Sequence, residues 1–286
     1  MVDAVVQGIL LGGLYALLAA GLTLVFGVMK VVNLAHGDFI VMAGYLTLVL
    51  VGATDLNPLL VAPVVAVLMG AVGYGLQRGV INLSLGGGIV PPLIVTFGLS
   101  IIIQNALQEI FSADTQGLDA GPIELSSIRL GDVVTIGWFP LLTLLVAVLV
   151  LLGLHGMLSK TSLGRAFRAV SDDPEAARMM GVQTKHVFSI ATAVAMVVVG
   201  IGGVMLGIRT QFDASLGPAR LIFAFEAVII GGMGSLWGTL AGGVVLGVAQ
   251  NVGAHLSPGW SELGGHLVFL AVLAYRPQGL FGQVTS

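Results

Sequence analysis

Apolar residues run along this chain in nine stretches, near 5–28, 31–53, 58–80, 89–111, 137–158, 187–208, 219–233, 236–254 and 263–275. A helix needs about 20 apolar residues to cross a bilayer. The first six stretches meet that length; the seventh and ninth are short. The seventh reads as a half-helix or a re-entrant piece buried in protein, so 219–254 is either two spans or a re-entrant pair. The pattern predicts an all-α polytopic membrane protein of eight or nine transmembrane helices, some short or broken. Two polar stretches, 112–136 and 159–186, are the longest interruptions, and neither is a soluble domain. The expectation is a single membrane domain over residues 1–286.

Composition sharpens this. Of 286 residues, 57% are hydrophobic and 9% charged, against roughly 25% charged in soluble domains. One soluble core could not hide that much apolar surface. The 42 glycines suit membrane helices, where small residues let backbones approach. Gly203-x3-Gly207, Gly238-x3-Gly242 and Gly243-x3-Gly247 predict close helix contacts, within the chain or with a second subunit. With no cysteine, disulfides and thiolate metal sites are excluded. The start, MVDAVVQGIL, lacks a basic n-region, so a cleaved signal peptide is not expected.

Basic residues orient the spans. With 159–186 placed inside, Lys30, Arg78 and Arg276 also fall inside, making eight of the eleven basic residues. Arg129, Arg209 and Arg220 fall outside. The 112–136 loop, with Asp114, Asp119, Glu124 and Asp132 against Arg129, also falls outside. The amino terminus is then external and the carboxyl terminus cytoplasmic.

The inner loop, SKTSLGRAFRAVSDDPEAARMMGVQTKH, holds five of the basic residues and encodes a short helix. Asp173 is a good N-cap and Pro174 suits the first helical position. Glu175 meets the positive end of the helix dipole, Ala176 and Ala177 favour helix, and Gly181 fits the left-handed residue that ends it. About two turns result, too few to be stable without a docking surface. The order Glu175-Ala176-Ala177, three residues, then Gly181 resembles the EAA loop of ABC importer permeases. In that family the loop forms the coupling helix that seats in the cytoplasmic ATPase. The other reading is an ordinary capped surface helix.

A second polar cluster, Asn33, His36 and Asp38, opens the second apolar stretch. It either lines a translocation route through a broken helix or caps and anchors the helix at the interface, since an acid in mid-bilayer costs about 2.5–3.5 kcal/mol. One His and one Asp make no zinc or iron site. Glu226 is the one acid in the seventh segment and is expected to pair with Arg220 or face water. The run Gly231-Gly232-x-Gly234 predicts a helix break near Ser235. The spans otherwise hold mostly Gly, Ala, Val, Leu and Ile, and few polar groups.

No catalytic chemistry is encoded. The stretch GLHGMLSKTS at 153–162 places Ser159 and Leu154 where a phosphate loop needs glycine. No Ser-His-Asp or paired-carboxylate signature is present. His155, His186, His255 and His266 sit near predicted span ends, where an interfacial His is unremarkable. No cofactor, metal or nucleic acid is expected.

The opening GILLGGLYALLAAGLTLVFGVMKVVNLAHGDF resembles that of the branched-chain amino-acid ABC importer permeases. The EAA loop, AFEAVIIGGMGSLWGTLAGG at 224–243 and YRPQGLFG at 275–282 agree. The resemblance implies a bacterial inner-membrane permease paired with a second, similar permease in a heterodimer. It also implies two cytoplasmic ATPase subunits, an extracytoplasmic solute-binding protein, and leucine, isoleucine or valine as cargo. Relatives carrying urea or short amides leave the substrate open. A self-contained ion-coupled transporter is the contrasting class, but it usually leaves several intramembrane acids, and only Asp38 and Glu226 qualify.

Overall fold

The computed structural model describes residues 1–88, 90–130 and 134–281. Asp132 of the acidic loop and Gly282 of the YRPQGLFG ending lie outside these residues. Each of the nine apolar stretches is a helix. They are α1 (Val2–Met29), α2 (His36–Thr54), α3 (Pro58–Leu76), α4 (Val90–Phe111), α5 (Trp138–Lys160), α8 (Thr184–Arg209), α9 (Gly217–Gly231), α10 (Leu236–Leu256) and α11 (Ser261–Tyr275). Between α5 and α8 lie two further helices, α6 (Ser162–Asp172) and α7 (Pro174–Met179).

Length and apolarity together separate these helices into two groups. Six are long and apolar enough to cross a membrane: α1, α2, α3 with its continuation to Ser84, α4, α5 and α8. The α9–α10 pair is bent by 116° and adds a seventh span if counted as one crossing. At 15 residues, α9 and α11 reach about 22 Å at 1.5 Å per residue, short of a 30 Å hydrocarbon core. Where the pattern suggested eight or nine spans, length and composition give six or seven, because α10 counts only together with α9 and α11 is short.

The chain folds as two compact units. The first comprises residues 1–23, 120–151 and 222 onward. Its core gathers Tyr15, Leu22, Phe223, Ala227, Val228, Ile230 and Leu246, with Phe269 and Val272 packed on it. Here α1 and α10 cross backbone to backbone. A methyl built on Gly12 would overlap the Val244 Cα, and one on Gly247 would overlap the Gly8 carbonyl oxygen. Gly8-x3-Gly12 thus faces Gly243-x3-Gly247, the close approach that paired small residues permit. The α9–α10 break runs through Gly232 (φ +103°) and Gly234 (φ +85°), and Ser235 caps α10 by accepting from Gly238 N at 3.0 Å. Between α4 and α5, Ser127–Leu130 (β1) and Val134–Gly137 (β2) pair antiparallel, Ser127 opposite Gly137. This hairpin is a small addition to an otherwise helical fold.

The second unit comprises residues 24–119 and 152–221. There α8 packs on α3 and α2, again through glycine. A methyl on Gly200 would come within 2.8 Å of the Ala66 Cα, and one on Gly203 would overlap the Ile40 carbonyl oxygen. The predicted small-residue patterns are thus used within the chain. Below α3 the helix widens into a π turn, Gln77–Ile81. A buried chain of amides and hydroxyls fixes that turn to α8. Thr192 Oγ1 donates to Gln77 Oε1 (2.9 Å), Gln77 Nε2 to Asn82 Oδ1 (2.9 Å), and Asn82 Nδ2 to the Lys185 carbonyl (3.0 Å) and to Ser189 Oγ (3.2 Å). Such groups must find partners where no water reaches, so the spans carry more polar structure than their composition suggested.

Candidate functional site

The 159–186 stretch is more helical than expected. Helix α5 runs on to Lys160, and Thr161 then caps α6 by accepting from Gly164 N at 3.1 Å. Helix α6 buries Phe167 and Val170 and presents its charged side outward. Its turn from α5 is tight, because a Cβ on Gly164 would overlap the Leu158 carbonyl. Ser171 Oγ donates to the Gly27 carbonyl at 2.7 Å, anchoring the far end of α6 beneath α1.

Helix α7 follows at once. Asp173 Oδ1 accepts from Glu175 N and Ala176 N, both at 2.9 Å. These are two of the donors every helix start leaves unpaired. Pro174 occupies the first position, where its missing N–H costs nothing. At the other end Val182 N donates to the Ala177 carbonyl and Gly181 N to the Arg178 carbonyl, each at 3.0 Å, and Gly181 has φ +88°. This pair of bonds closed by a left-handed glycine is a Schellman end. Ala177 is buried against the protein, Glu175 is exposed, and Met179 and Met180 are 80% and 85% exposed. The tip therefore offers a soft, apolar, adaptable surface on a backbone held rigid at both ends.

The remaining candidates are buried. Met29 ends α1, Lys30 takes φ +53°, and residues 31–35 cross to α2 without helix. In that crossing Asn33 Oδ1 accepts from Ala35 N at 3.0 Å. His36 and Asp38 stand in the first turn of α2, both buried. Asp38 is 1% exposed, and its carboxylate lies near the Ser100 hydroxyl and the Gln104 amide of α4. A methyl on Gly217 would overlap Asp38 Oδ1, so the carboxylate rests against the glycine that begins α9. Asn33, His36 and Asp38 thus gather at one broken segment of the second unit.

Glu226 belongs to the first unit. It is 3% exposed, and its Oε1 bonds His266 Nδ1 of α11. The sequence suggested Arg220 or water as its partner; the fold brings a histidine forty residues further on, stacked on Phe223 with ring centroids 5.9 Å apart. Close by, Tyr15 donates to Gln250 Oε1 at 2.5 Å, and Gln250 packs on Gly265. Nothing local in the sequence tied His266, Gln250 and Tyr15 to Glu226. Only the small residue at 265, which lets Gln250 approach α11, hinted at a crowded helix face. Among the described residues no cluster of His, Asp and Glu could hold a metal ion.

Long apolar helices, a bent pair, a short last helix and a polar helical loop define a multi-pass membrane protein. The chain belongs to the permease components of branched-chain amino acid transport systems, whose family description matches residues 4–274. It is 29% identical to the high-affinity branched-chain amino acid transport system permease protein BraD of Pseudomonas aeruginosa, across 97% of this chain and 94% of that protein. It is 27% identical to the corresponding permease protein LivH of Escherichia coli, across 97% and 94%. It is also 24% identical to LivM, a permease protein of the same system in Escherichia coli, across 93% of this chain and 67% of that protein.

Proposed function

We propose that this chain is one of two membrane subunits of a binding-protein-dependent importer for leucine, isoleucine and valine. A separate cytoplasmic ATPase drives it through α7. The single observation that carries this reading is the build of α7, which is capped at Asp173 and closed at Gly181, with Met179 and Met180 exposed at its tip. A helix this short holds its shape only when fixed locally or docked, and an exposed apolar pair on a fixed helix suits a groove in a partner. Asp173, Glu175, Ala176, Ala177 and Gly181 form the ATPase-coupling element. Two ATPase subunits and an extracytoplasmic solute-binding protein complete the assembly. The kinship with both LivH and LivM, two permease proteins of one system, supports pairing with a second, homologous permease. The chain acts as a single membrane domain in the bacterial inner membrane, with 112–136 and the amino terminus outside and 159–186 and the carboxyl terminus in the cytoplasm. The chain hydrolyses no ATP itself. Asn33, His36, Asp38 and Glu226 lie along or beside the route taken by the solute.

The test is purification from native membranes. An ATPase, a second permease and leucine uptake on reconstitution are expected together. Recovery of the wild-type chain with no ATPase, and with uptake driven by an ion gradient, would refute the reading.

A further inference from the structure

Beside α7 lies a cleft of about 550 Å³ that shares only Gly181 with the coupling element. Its walls carry Arg78 from the π turn, Arg178 from α7, and Lys185 and His186 from the start of α8; its floor is the buried Asn82. No acidic residue lines it. Among the described residues no carboxylate stands within ion-pair distance of Arg78, Arg178 or Lys185. Mutual repulsion would ordinarily splay such cations into solvent. Here the amide chain through Gln77, Asn82 and Ser189 fixes the π turn against α8, and Arg78 and His186 both bond the Tyr74 hydroxyl, at 3.1 and 3.0 Å. The cations are therefore held around an open volume large enough for a phosphate-bearing group.

A second observation indicates what kind of group it is. The outward face of α3 leads directly to Arg78. Val64, Leu68 and Val72 are exposed along it, and the stripe continues through Gly75 and Gly79, where an added methyl would meet nothing within 4 Å. An apolar lane with a shallow, side-chain-free floor thus runs from the middle of a long span to the mouth of a basic cleft. That is the shape of a phospholipid, acyl chain above and headgroup below.

We propose that this cleft binds the headgroup of an anionic phospholipid, with the phosphate between Arg78 and Lys185, Arg178 closing the outer side, and one acyl chain along Gly75 and Gly79. Basic pockets at the ends of membrane helices recognise anionic headgroups in this way. The inference goes beyond the coupling reading and does not depend on an ATPase.

The test uses the purified full chain in phosphatidylcholine bilayers doped with labelled phosphatidylglycerol, followed by mild detergent extraction and measurement of retained lipid. Phosphatidylglycerol should be retained at least tenfold over phosphatidylcholine, and less so as salt rises. Arg78→Gln with Lys185→Gln should lower retention more than tenfold, about fivefold per cation. Lys160→Gln with Arg165→Gln, which removes the same two charges away from the cleft, should change little. Equal retention of the two lipids by the wild type overturns the proposal, and so does unchanged retention in the double variant. Displacement of the lipid by millimolar inorganic phosphate would make this a free-anion site and would also overturn it. Should the double variant fail to reach the membrane, Lys185→Gln alone and the wild-type lipid preference decide.

Discussion

At Gly181 the backbone stands at φ +88° with nothing within 4 Å of where a Cβ would be. The obstacle to a side chain there is thus the backbone conformation, not space. Asparagine tolerates this region and β-branched residues do not. Gly181→Asn should therefore be mild, whereas Gly181→Val should cost about 1–3 kcal/mol of local strain and displace the tip of α7. In the assembled importer, the uptake-to-hydrolysis ratio should fall severalfold for valine and little for asparagine, with membrane levels of both unchanged. Equal uptake by all three proteins would mean that α7 does not couple. The opposite case is Gly242, where a methyl would overlap the Ala227 carbonyl oxygen, compared with Gly98, where it would meet nothing. Overpacking of this kind costs about 1–3 kcal/mol. Gly242→Val should lower the melting temperature in detergent while Gly98→Val leaves it unchanged. At this scale, legibility followed locality. The roles of Asp173, Pro174 and Gly181 depend on neighbours within five residues and could be read directly. The surroundings of Asp38 depend on Gly217, far along the chain, and could not.

At the scale of elements, all nine apolar helices were legible, because burial in lipid leaves so strong a mark on composition. Helix α6 was missed, since a charged amphipathic stretch between spans reads as loop until Phe167 and Val170 are seen to pack. The β1–β2 hairpin was missed too, being four residues a strand in a polar segment. The contact joining α9 to α11 was invisible because each of its residues, taken alone, had an unremarkable explanation. Its energetics give a prediction. Glu226 is buried and its Oε2 has no hydrogen-bond partner, so the His266 bond is what holds its carboxylate. Replacing His266 by leucine leaves a buried acid unpaired, which costs at least about 1–3 kcal/mol. Adding Glu226→Gln to that variant removes the charge and should recover much of the loss. Thermal unfolding of the two single variants and the double variant measures this. A double variant whose loss equals the sum of the two single losses would show that the bond contributes nothing.

For the whole molecule, the charge bias predicts a sidedness that the absence of cysteine makes easy to measure. Single cysteines at Ser171 and Asp119, in α6 and midway along the α4–β1 connection, should react oppositely with an impermeant thiol reagent on intact cells. Asp119→Cys should label and Ser171→Cys should not; the reverse result inverts the arrangement. The division into two compact units was not legible. The segments of each unit are scattered, and the helices α1, α5 and α9 contribute to both. Hydrophobic pattern marks where a chain enters lipid but carries no record of which spans pack together. That information resides in matched glycines such as Gly12 and Gly243, whose partners are known only once the fold is seen.

The ending YRPQGLFG, one of the stretches that carried the family resemblance, has a physical role. Leu280 N and Phe281 N donate to the carbonyls of Ile230 and Gly231 at 2.8 and 3.0 Å, and Gly279, at φ +76°, packs on Gly232. The last carbonyls of α9 are thus satisfied by residues made fifty positions later. These two bonds at the α9–α10 break can therefore form only after Phe281 has been made. Until then the carbonyls of Ile230 and Gly231 lack these partners, and an unpaired backbone group away from water is costly. A chain cut before Leu280 would keep every long apolar helix and still leave that corner unclosed.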